Sequence, residues 1–227
     1  MPDSPAMPYD PSAYPPVAVT VDLVLMTVTA GELTVLLQRR EEAPFPGRFA
    51  LPGGFVGPHE QLEEAARRVL TDKARLPEAW LEQLYTFGDP NRDPRMRVVS
   101  VAYFALMPAA RLGSAVAARE DLVLKPVADL TEPLAFDHTA IVTLARDRLR
   151  GKLTYSPIAL ALLPDLFTLR DLQEVHEAIL GTSLNKPAFR RRMLDTGWVE
   201  GSGEREAQTA FRPAELYRRS SLSDESA

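Results

Sequence analysis

The chain of 227 residues contains no cysteine. This absence excludes disulfides and thiolate metal sites, and it agrees with a cytoplasmic location. No apolar run approaches the roughly 20 residues that a membrane-spanning helix needs, so we expect no membrane partner. The composition is 45% hydrophobic and 25% charged, with a net charge of −5. These values are typical of a globular protein with one large or two modest domains.

The two ends of the chain lack the patterns of ordered elements. Prolines stand at positions 2, 5, 8, 11, 15 and 16, without the basic and apolar regions of a signal peptide. We therefore expect residues 1–16 to form a disordered arm. Residues 219–227 are polar and are predicted to be a tail.

The segment 17–150 predicts one domain built on a mixed sheet with helices on its faces. Runs rich in Val, Leu and aromatic residues predict strands. These are Val17–Thr29, Leu33–Gln38, Phe55–Val56, Trp80–Gly88, Arg97–Met107 and part of Leu122–Leu130. Apolar residues at helical spacing predict helices over Glu60–Ala74 and His138–Leu149. The alanine-rich segment Pro108–Asp121 is expected to be a variable loop.

Residues 151–218 predict a second, mostly helical domain. Thr168 and Asp171 form a capping-box variant before an apolar helical face, which ends at Gly181. Asn185 is placed to cap a second helix that runs to about Thr196. Two short strands follow, at Trp198–Glu200 and Gln208–Pro213, joined by a glycine-containing tip. This order of elements is typical of a winged helix-turn-helix.

A glycine pair and the helix after it resemble the Nudix box, G-x5-E-x7-R-E-U-x-E-E-x-G-U, where U is apolar. Gly54, Glu60 and Arg68 match its glycine, first glutamate and arginine. The resemblance implies metal-binding carboxylates at three further positions, which here hold Val69, Asp72 and Lys73. A valine offers no ligand and a lysine adds positive charge, whereas hard cations need several oxygen ligands. We therefore predict no metal site and no catalytic residue.

The glycine pair has two interpretations. Gly53 and Gly54 either serve only a tight turn, or they let the backbone approach a diphosphate, with Arg39 or Arg40 supplying charge. The second interpretation predicts an effector pocket, and its residues are Arg39, Arg40, Phe49, Gly53, Gly54, Phe55 and His138. His138 follows Asp137, a candidate N-cap. Glu60 and Arg68 are expected to join the loop to the helix, and Glu64 to pair with Arg68.

The segment Lys186–Arg192 concentrates positive charge in the second domain. Three successive arginines fan over roughly 200° of a helix, so they cannot all read bases. Lys186 and Arg190 share one face, which predicts base contacts for Arg190 and phosphate contacts for Arg192. The alternative is a solvated charged helix. The predicted DNA-binding residues are Thr168, Asn185, Lys186, Arg190, Arg191 and Arg192. Phe189, Met193 and Leu194 are expected in the core, and His176 is expected to be partly exposed.

The order and spacing of these segments resemble the NrtR family, the Nudix-related transcriptional regulators of NAD metabolism. The segments that show this resemblance are Phe49–Val56, the altered Nudix helix, Phe136–His138, Tyr155–Pro157, Leu162–Pro164, Phe167–Gln173 and Phe189–Leu194. Pro187 and Ala188 replace two polar residues of the family pattern, so the operator is expected to differ. The resemblance implies an α/β (α+β) Nudix-like domain over 17–150 and a winged helix-turn-helix over 151–218.

The resemblance also implies a function. It implies a DNA-binding repressor. We expect a homodimer that binds a palindromic DNA operator, because one winged helix offers few specific contacts and two-fold pairing reads a palindrome. The Nudix-like domain would bind ADP-ribose or a related nucleotide as effector, and no cofactor is expected. Two alternatives stay open. One is a Nudix-type nucleoside diphosphate hydrolase with residual activity, and the other is an interaction protein whose winged helix does not bind DNA.

Overall fold

The computed structural model describes residues 10, 12, 14–74, 76, 79–207 and 213–221. The strands are β1 Ala18–Thr29, β2 Glu32–Arg39, β3 Phe49–Ala50, β4 Gly53–Phe55, β5 Trp80–Phe87, β6 Val98–Leu106, β7 Leu122–Pro126, β8 Val199–Arg205 and β9 Glu215–Arg219. The α-helices are α1 Leu62–Ala74, α2 Ala109–Ala117, α3 His138–Lys152, α4 Leu169–Leu180 and α5 Lys186–Asp195. Most of the predicted arm, residues 1–9, 11 and 13, lies outside the described residues, as do 208–212 and 222–227.

A seven-stranded mixed sheet forms the first part of the chain. Strand β1 lies at its centre, parallel to β6 and antiparallel to β2 and β4. Strand β2 also pairs with β3 and β7, while β5 pairs with β6. Strand β1 pairs with β2 over its second half and with β4 over its first half. The segment Gly53–Phe55, called the glycine segment below, is therefore fixed beside the middle of the sheet. The predicted mixed sheet with flanking helices is confirmed.

The two faces of the sheet have separate cores. One core holds residues of α1 and α2, including Leu70 and Leu112, together with alternate sheet residues such as Leu23. The other holds α3 residues such as Ile141 and also side chains from α4 and α5. The second domain is therefore packed on the first through a shared apolar core.

The predicted loop over Pro108–Asp121 is wrong, because it contains α2. Its alanines favour helix, and Leu112 and Ala115 become buried against the sheet. Gly113 and the weak apolar period obscured this helix in the sequence. Within the described residues, no helix has both the length and the apolar character of a membrane span.

The winged helix-turn-helix has the predicted caps. The Thr168 hydroxyl accepts a hydrogen bond from the Asp171 amide, and the Asp171 carboxylate accepts one from the Thr168 amide. Gly181 ends α4 in the left-handed conformation, with φ of 71°. Asn185 caps α5 by accepting from the Ala188 amide at 3.0 Å. These contacts fix both ends of the turn between α4 and α5.

Several predicted details of this domain need correction. The second wing strand is Glu215–Arg219 rather than Gln208–Pro213, of which only Pro213 is described. Because β9 runs to Arg219 and the Ser220 amide bonds to the carbonyl of Trp198, any tail starts later than residue 219. Leu194 is exposed, since the core contacts of α5 are made by Phe189 and Met193. The predicted boundary at residue 150 falls inside α3.

His176 is buried, not partly exposed as predicted. It lies on the inner face of α4, where its Nδ1 bonds to the Leu172 carbonyl at 2.8 Å and its ring meets Phe189 edge-on. Burial lowers the pKa of His176 from 6.5 to about 4. A neutral histidine therefore belongs to the core that holds α5.

The low pKa of His176 predicts acid sensitivity. Between pH 6.5 and about 4 the unfolded chain binds a proton that the folded chain does not, so the free energy of unfolding falls as pH decreases. The loss from this residue is on the order of 2–3 kcal/mol by pH 4. Urea unfolding across this range should show a shallower pH dependence for His176→Gln. The exposed control His59→Gln should keep the original slope, and equal slopes in all three proteins would refute this assignment.

Candidate effector pocket and nucleic-acid interface

A pocket of about 760 Å³ lies beside the glycine segment. Six of the predicted effector residues line it, namely Arg39, Arg40, Gly53, Gly54, Phe55 and His138. Phe49 does not line it, because its ring packs under the charged groups of Arg39, at 5.4 Å, and Lys125, at 4.2 Å. The sequence therefore located the pocket, and the assignment of effector binding to its residues stays a prediction.

A buried charged network forms part of the pocket lining. The Arg92 guanidinium donates to Asp137 at 2.7 and 2.9 Å and to Asp22 at 3.2 Å. The Ser100 hydroxyl donates to Asp22 Oδ2, the same oxygen that Arg92 contacts. Burial by itself would lower the pKa of Arg92, but the hydrogen bonds and charges of Asp137 and Asp22 together raise it. Buried charges of this kind are stable only when paired, so the network holds the lining in one arrangement.

His138 lies at the start of α3 and faces this network. Its Nδ1 accepts a hydrogen bond from the Leu51 amide at 2.9 Å, and its Nε2 lies 3.6 Å from Asp22 Oδ1. Burial lowers the pKa of His138, so the ring is neutral and its proton resides on Nε2. Asp137 occupies the N-cap position without a side-chain cap bond, because its carboxylate is paired with Arg92. The predicted N-cap position of Asp137 is therefore confirmed, although its side chain does not cap the helix.

The glycine pair is required by packing within the protein. A Cβ on Gly53 would lie 2.3 Å from Asp22 Oδ1 and 2.9 Å from the Val21 carbonyl. A Cβ on Gly54 would lie 3.1 Å from Val69 Cγ2. Both glycines let the segment approach β1 and α1 closely, which brings their backbone to the pocket edge.

Glu60 and Arg68 join the loop to α1, as predicted. The guanidinium of Arg68 donates to Glu60 at 2.6 and 2.9 Å and to the Phe55 carbonyl at 2.9 Å. Glu60 also accepts from the Gly57 amide, and these hydrogen bonds lower the pKa of Glu60 to about 2. The predicted Glu64–Arg68 pair is absent, because Glu64 instead accepts from the Gln61 amide.

Two of the three residues at the metal positions of the Nudix box, Val69 and Lys73, offer no carboxylate to a metal ion. Val69 is buried in the core, and Lys73 lines the pocket. Among the residues that the structure describes, no group of three or more His, Asp or Glu side chains is arranged to hold a metal. Lys73 instead brings a positive charge to the pocket lining.

The pocket also contains residues that the sequence did not indicate. Arg95 lies 5.8 Å from the ring centres of both Phe55 and Phe136, and Arg40 lies 4.9 Å from Phe136. Phe136 has a φ of 56°, a conformation rare for large side chains that clusters at ligand sites. Arg92 and Arg95 belong to the polar loop before β6, and that concentration of charged residues was the available signal.

The recognition helix α5 now has a defined orientation. Phe189 and Met193 are buried against α4 and the wing. At 100° per residue, Arg191 points about 180° away from their mean direction. Arg190 and Arg192 lie about 80° to either side of the buried face. Arg191 is therefore at the centre of the exposed face, with exposed Ala188 beside it.

Arg190 is directed toward the wing, which consists of β8 and β9. Its Nη2 donates to the Tyr217 hydroxyl at 3.1 Å and lies 3.9 Å from Glu215 Oε2. Lys186 shares that flank and lines the same groove between α5 and the wing. Thr168 also lines this groove but is buried, and its hydroxyl is engaged in the capping box of α4. Asn185 is exposed at the start of α5.

Two family models match the two parts of the chain. The NUDIX domain model matches residues 16–140, and the model of the NrtR DNA-binding winged helix domain matches residues 159–219. The ADPR responsive transcriptional repressor NtrR of Acinetobacter baylyi is 38% identical over 215 residues, which cover 92% of this chain and 85% of that protein.

Solved structures agree with this match. The crystal structure of Shewanella oneidensis NrtR complexed with a 27mer DNA is 38% identical and has a TM-score of 0.82, covering 89% of this chain and 93% of that one. The NUDIX domain of the same protein complexed with ADP ribose is 38% identical, with a TM-score of 0.53, and covers 62% of this chain and 94% of that one.

An enzyme also resembles the first domain. The ADP-ribose pyrophosphatase of Methanocaldococcus jannaschii is 35% identical over 120 residues, which cover 52% of this chain and 67% of that protein. The likeness to this enzyme is confined to part of the chain, whereas the likeness to the Acinetobacter and Shewanella proteins extends over both domains.

Proposed function

The chain belongs to the NrtR family, and on that premise we propose that it is a transcriptional repressor that binds operator DNA through α5 and responds to ADP-ribose. The observation that carries the proposal is the exposed arginine face of α5, held by α4 and a two-stranded wing. A helix of this kind enters the major groove while flanking side chains meet phosphates. We also propose a cytoplasmic location, with which DNA binding is consistent.

We assign base contacts to Arg191 rather than to Arg190. Arg191 occupies the centre of the exposed face, and an arginine there can donate two hydrogen bonds to guanine. Arg190 is engaged by Tyr217 and Glu215, so it supports the wing or meets the backbone. Arg192, on the opposite flank, remains a phosphate contact.

ADP-ribose suits the chemistry of the pocket. The NUDIX domain of Shewanella oneidensis NrtR has been solved with ADP ribose. The pocket here is lined by aromatic rings and by six basic side chains, three of which are paired with carboxylates. Arg39, Arg40 and Lys73 supply charge for the diphosphate, while Phe55 and Phe136 offer surfaces for a base. Both kinds of contact are common in nucleotide recognition.

Two copies of the chain are needed to read a palindrome. One winged helix offers few base contacts, whereas a two-fold dimer doubles them at half-sites one or two helical turns apart. We therefore propose a homodimer, which sedimentation in the presence and absence of DNA would detect.

Selection from random duplexes tests the DNA-binding proposal. Repeated rounds of binding to the full chain should enrich a palindromic sequence that binds at least 100-fold more tightly than its scrambled counterpart. Affinity should fall steeply with salt, as expected when several phosphates are contacted. Enrichment of no sequence, or a selected duplex that binds no better than the scrambled one, would contradict the proposal.

Residual hydrolysis is the second candidate, favoured by the similarity to the archaeal pyrophosphatase. We propose that the chain lacks this activity, because Val69 and Lys73 offer no ligand for a metal. Chromatography of ADP-ribose incubated with the chain and Mg²⁺ or Mn²⁺ should show no products above background. Turnover on the order of 1 per second or more would support the enzyme instead.

A further inference from the structure

Helix α3 connects the pocket with the DNA-binding domain. Its first residue, His138, lines the pocket, and its last turn lies beside α4. His138 and Arg150 are 12 positions apart, which is about 18 Å along a helix axis. A rearrangement at the pocket can therefore reach the winged helix through α3, one continuous rigid element.

Arg150 makes a directional contact across the domain junction. Its Nε donates to the carbonyl oxygen of Ile179 at 2.8 Å. Ile179 lies in the last turn of α4, where carbonyl groups have no amide partner within the helix. The positive guanidinium also meets the negative end of the α4 dipole. The end of α4 is thereby held in one position relative to α3.

The neighbouring contacts of α4 are of a different kind. Leu172, Val175 and Ile179 share an apolar core with Val24 and Val35 of the sheet. Such packing has no directional preference, whereas a hydrogen bond weakens steeply when its angle changes. Apolar contacts therefore keep α4 attached during a small shift, while the Arg150 bond favours one placement.

A groove beside this bond provides room for the shift. It has a volume of about 480 Å³ and lies between the β1–β2 turn, α3 and the end of α4. Arg150 and Ile179 both line it, so water can reach the two groups if they separate. Breaking the bond then leaves neither group without a partner, and two placements of α4 become accessible.

We propose that Arg150 is a positioning residue for the effector response, which sets the placement of α4 and α5 according to the state of the pocket. This inference rests on the proposed function. An effector shifts DNA affinity only if it has different affinities for two such placements. Arg150 distinguishes them because its bond to Ile179 forms in one placement and is lost in the other.

The test compares two arginines of α3. Arg146 lies one turn before Arg150 and lines the same groove, but it pairs with Asp147. For the wild type, Arg150→Ala and Arg146→Ala, fluorescence anisotropy gives the DNA dissociation constant on the selected duplex with and without saturating ADP-ribose. The change in the DNA dissociation constant that ADP-ribose causes is expressed as the ratio of the larger to the smaller constant. We expect this ratio to be at least threefold smaller, and so closer to one, in Arg150→Ala than in the wild type. Arg146→Ala should keep the wild-type ratio.

Further measurements separate positioning from general damage. Calorimetry without DNA should show ADP-ribose affinity within twofold of wild type in Arg150→Ala, and Arg150→Lys should restore part of the ratio. If the alanine variant does not fold, Arg150→Gln takes its place. An unchanged ratio in the folded variant overturns the inference alone. A wild-type ratio of one overturns the proposed effector response and the inference with it.

Discussion

Replacing Arg191 by alanine is expected to weaken binding to the selected operator by about 1–3 kcal/mol, or roughly 5- to 150-fold. The reason is the position of Arg191 at the centre of the exposed face of α5, opposite the buried Phe189 and Met193. Loss of a bidentate base contact should also relax the preference at one base pair of each half-site. Anisotropy titrations on duplexes varied at single positions would measure both effects.

The two neighbouring arginines give the contrast that identifies this role. Arg192→Ala should weaken binding to all duplexes alike. The slope of the logarithm of DNA affinity against the logarithm of salt concentration should become less steep by about one. Arg190→Ala should leave base preference unchanged, because Arg190 is bonded to Tyr217 of the wing. A triple alanine variant that stays folded and keeps its operator affinity would eliminate α5 as the reading element. Circular dichroism and thermal melting provide the control for folding.

Reversing the charge of Lys73 is expected to weaken ADP-ribose binding by about 1–3 kcal/mol, as for a close charge pair near a protein surface. Lys73 lines the pocket at a position where the Nudix box has a metal-binding glutamate. If its ammonium replaces the metal beside the diphosphate, a chelator should not change the affinity. Calorimetry of Lys73→Glu and of the wild type, with and without EDTA, measures both effects.

A matched substitution controls for the charge reversal itself. Arg67→Glu makes the same change on an exposed residue of α1 that does not line the pocket, and it should retain wild-type affinity. Unchanged binding in Lys73→Glu, or a requirement for Mg²⁺ in the wild type, would contradict this role of Lys73.

Local signals in the sequence were sufficient for the caps of α4 and α5 and for most of the elements, but not for α2 or the second wing strand. Thr168, Asn185 and Gly181 act through neighbouring backbone groups, so their caps can be predicted from a few adjacent residues. The Glu60–Arg68 bond follows similarly from their spacing around the start of α1. Helix α2 was missed because its burial depends on the sheet rather than on a strong period of its own.

Features that depend on contacts between distant parts of the chain could not be predicted from the sequence. The network of Arg92 joins residues 70 and 45 positions apart in the chain, and no local pattern indicates such pairs. The burial of His176 and the rotation of α5 depend on the same packing, since three successive arginines look equivalent until Phe189 and Met193 fix the inner face. The sequence consequently predicted base contacts for Arg190, whereas the orientation of α5 leads us to propose them for Arg191.

The most direct test of the account is the affinity of the full chain for its selected operator, measured by anisotropy across a titration of ADP-ribose. We expect the DNA dissociation constant to change at least fivefold, the lower end of usual coupling between sites. By linkage, the affinity for ADP-ribose should change by the same factor when operator DNA is saturating. Tight, sequence-specific DNA binding that ADP-ribose leaves unchanged, although the chain binds the nucleotide, would contradict the central claim.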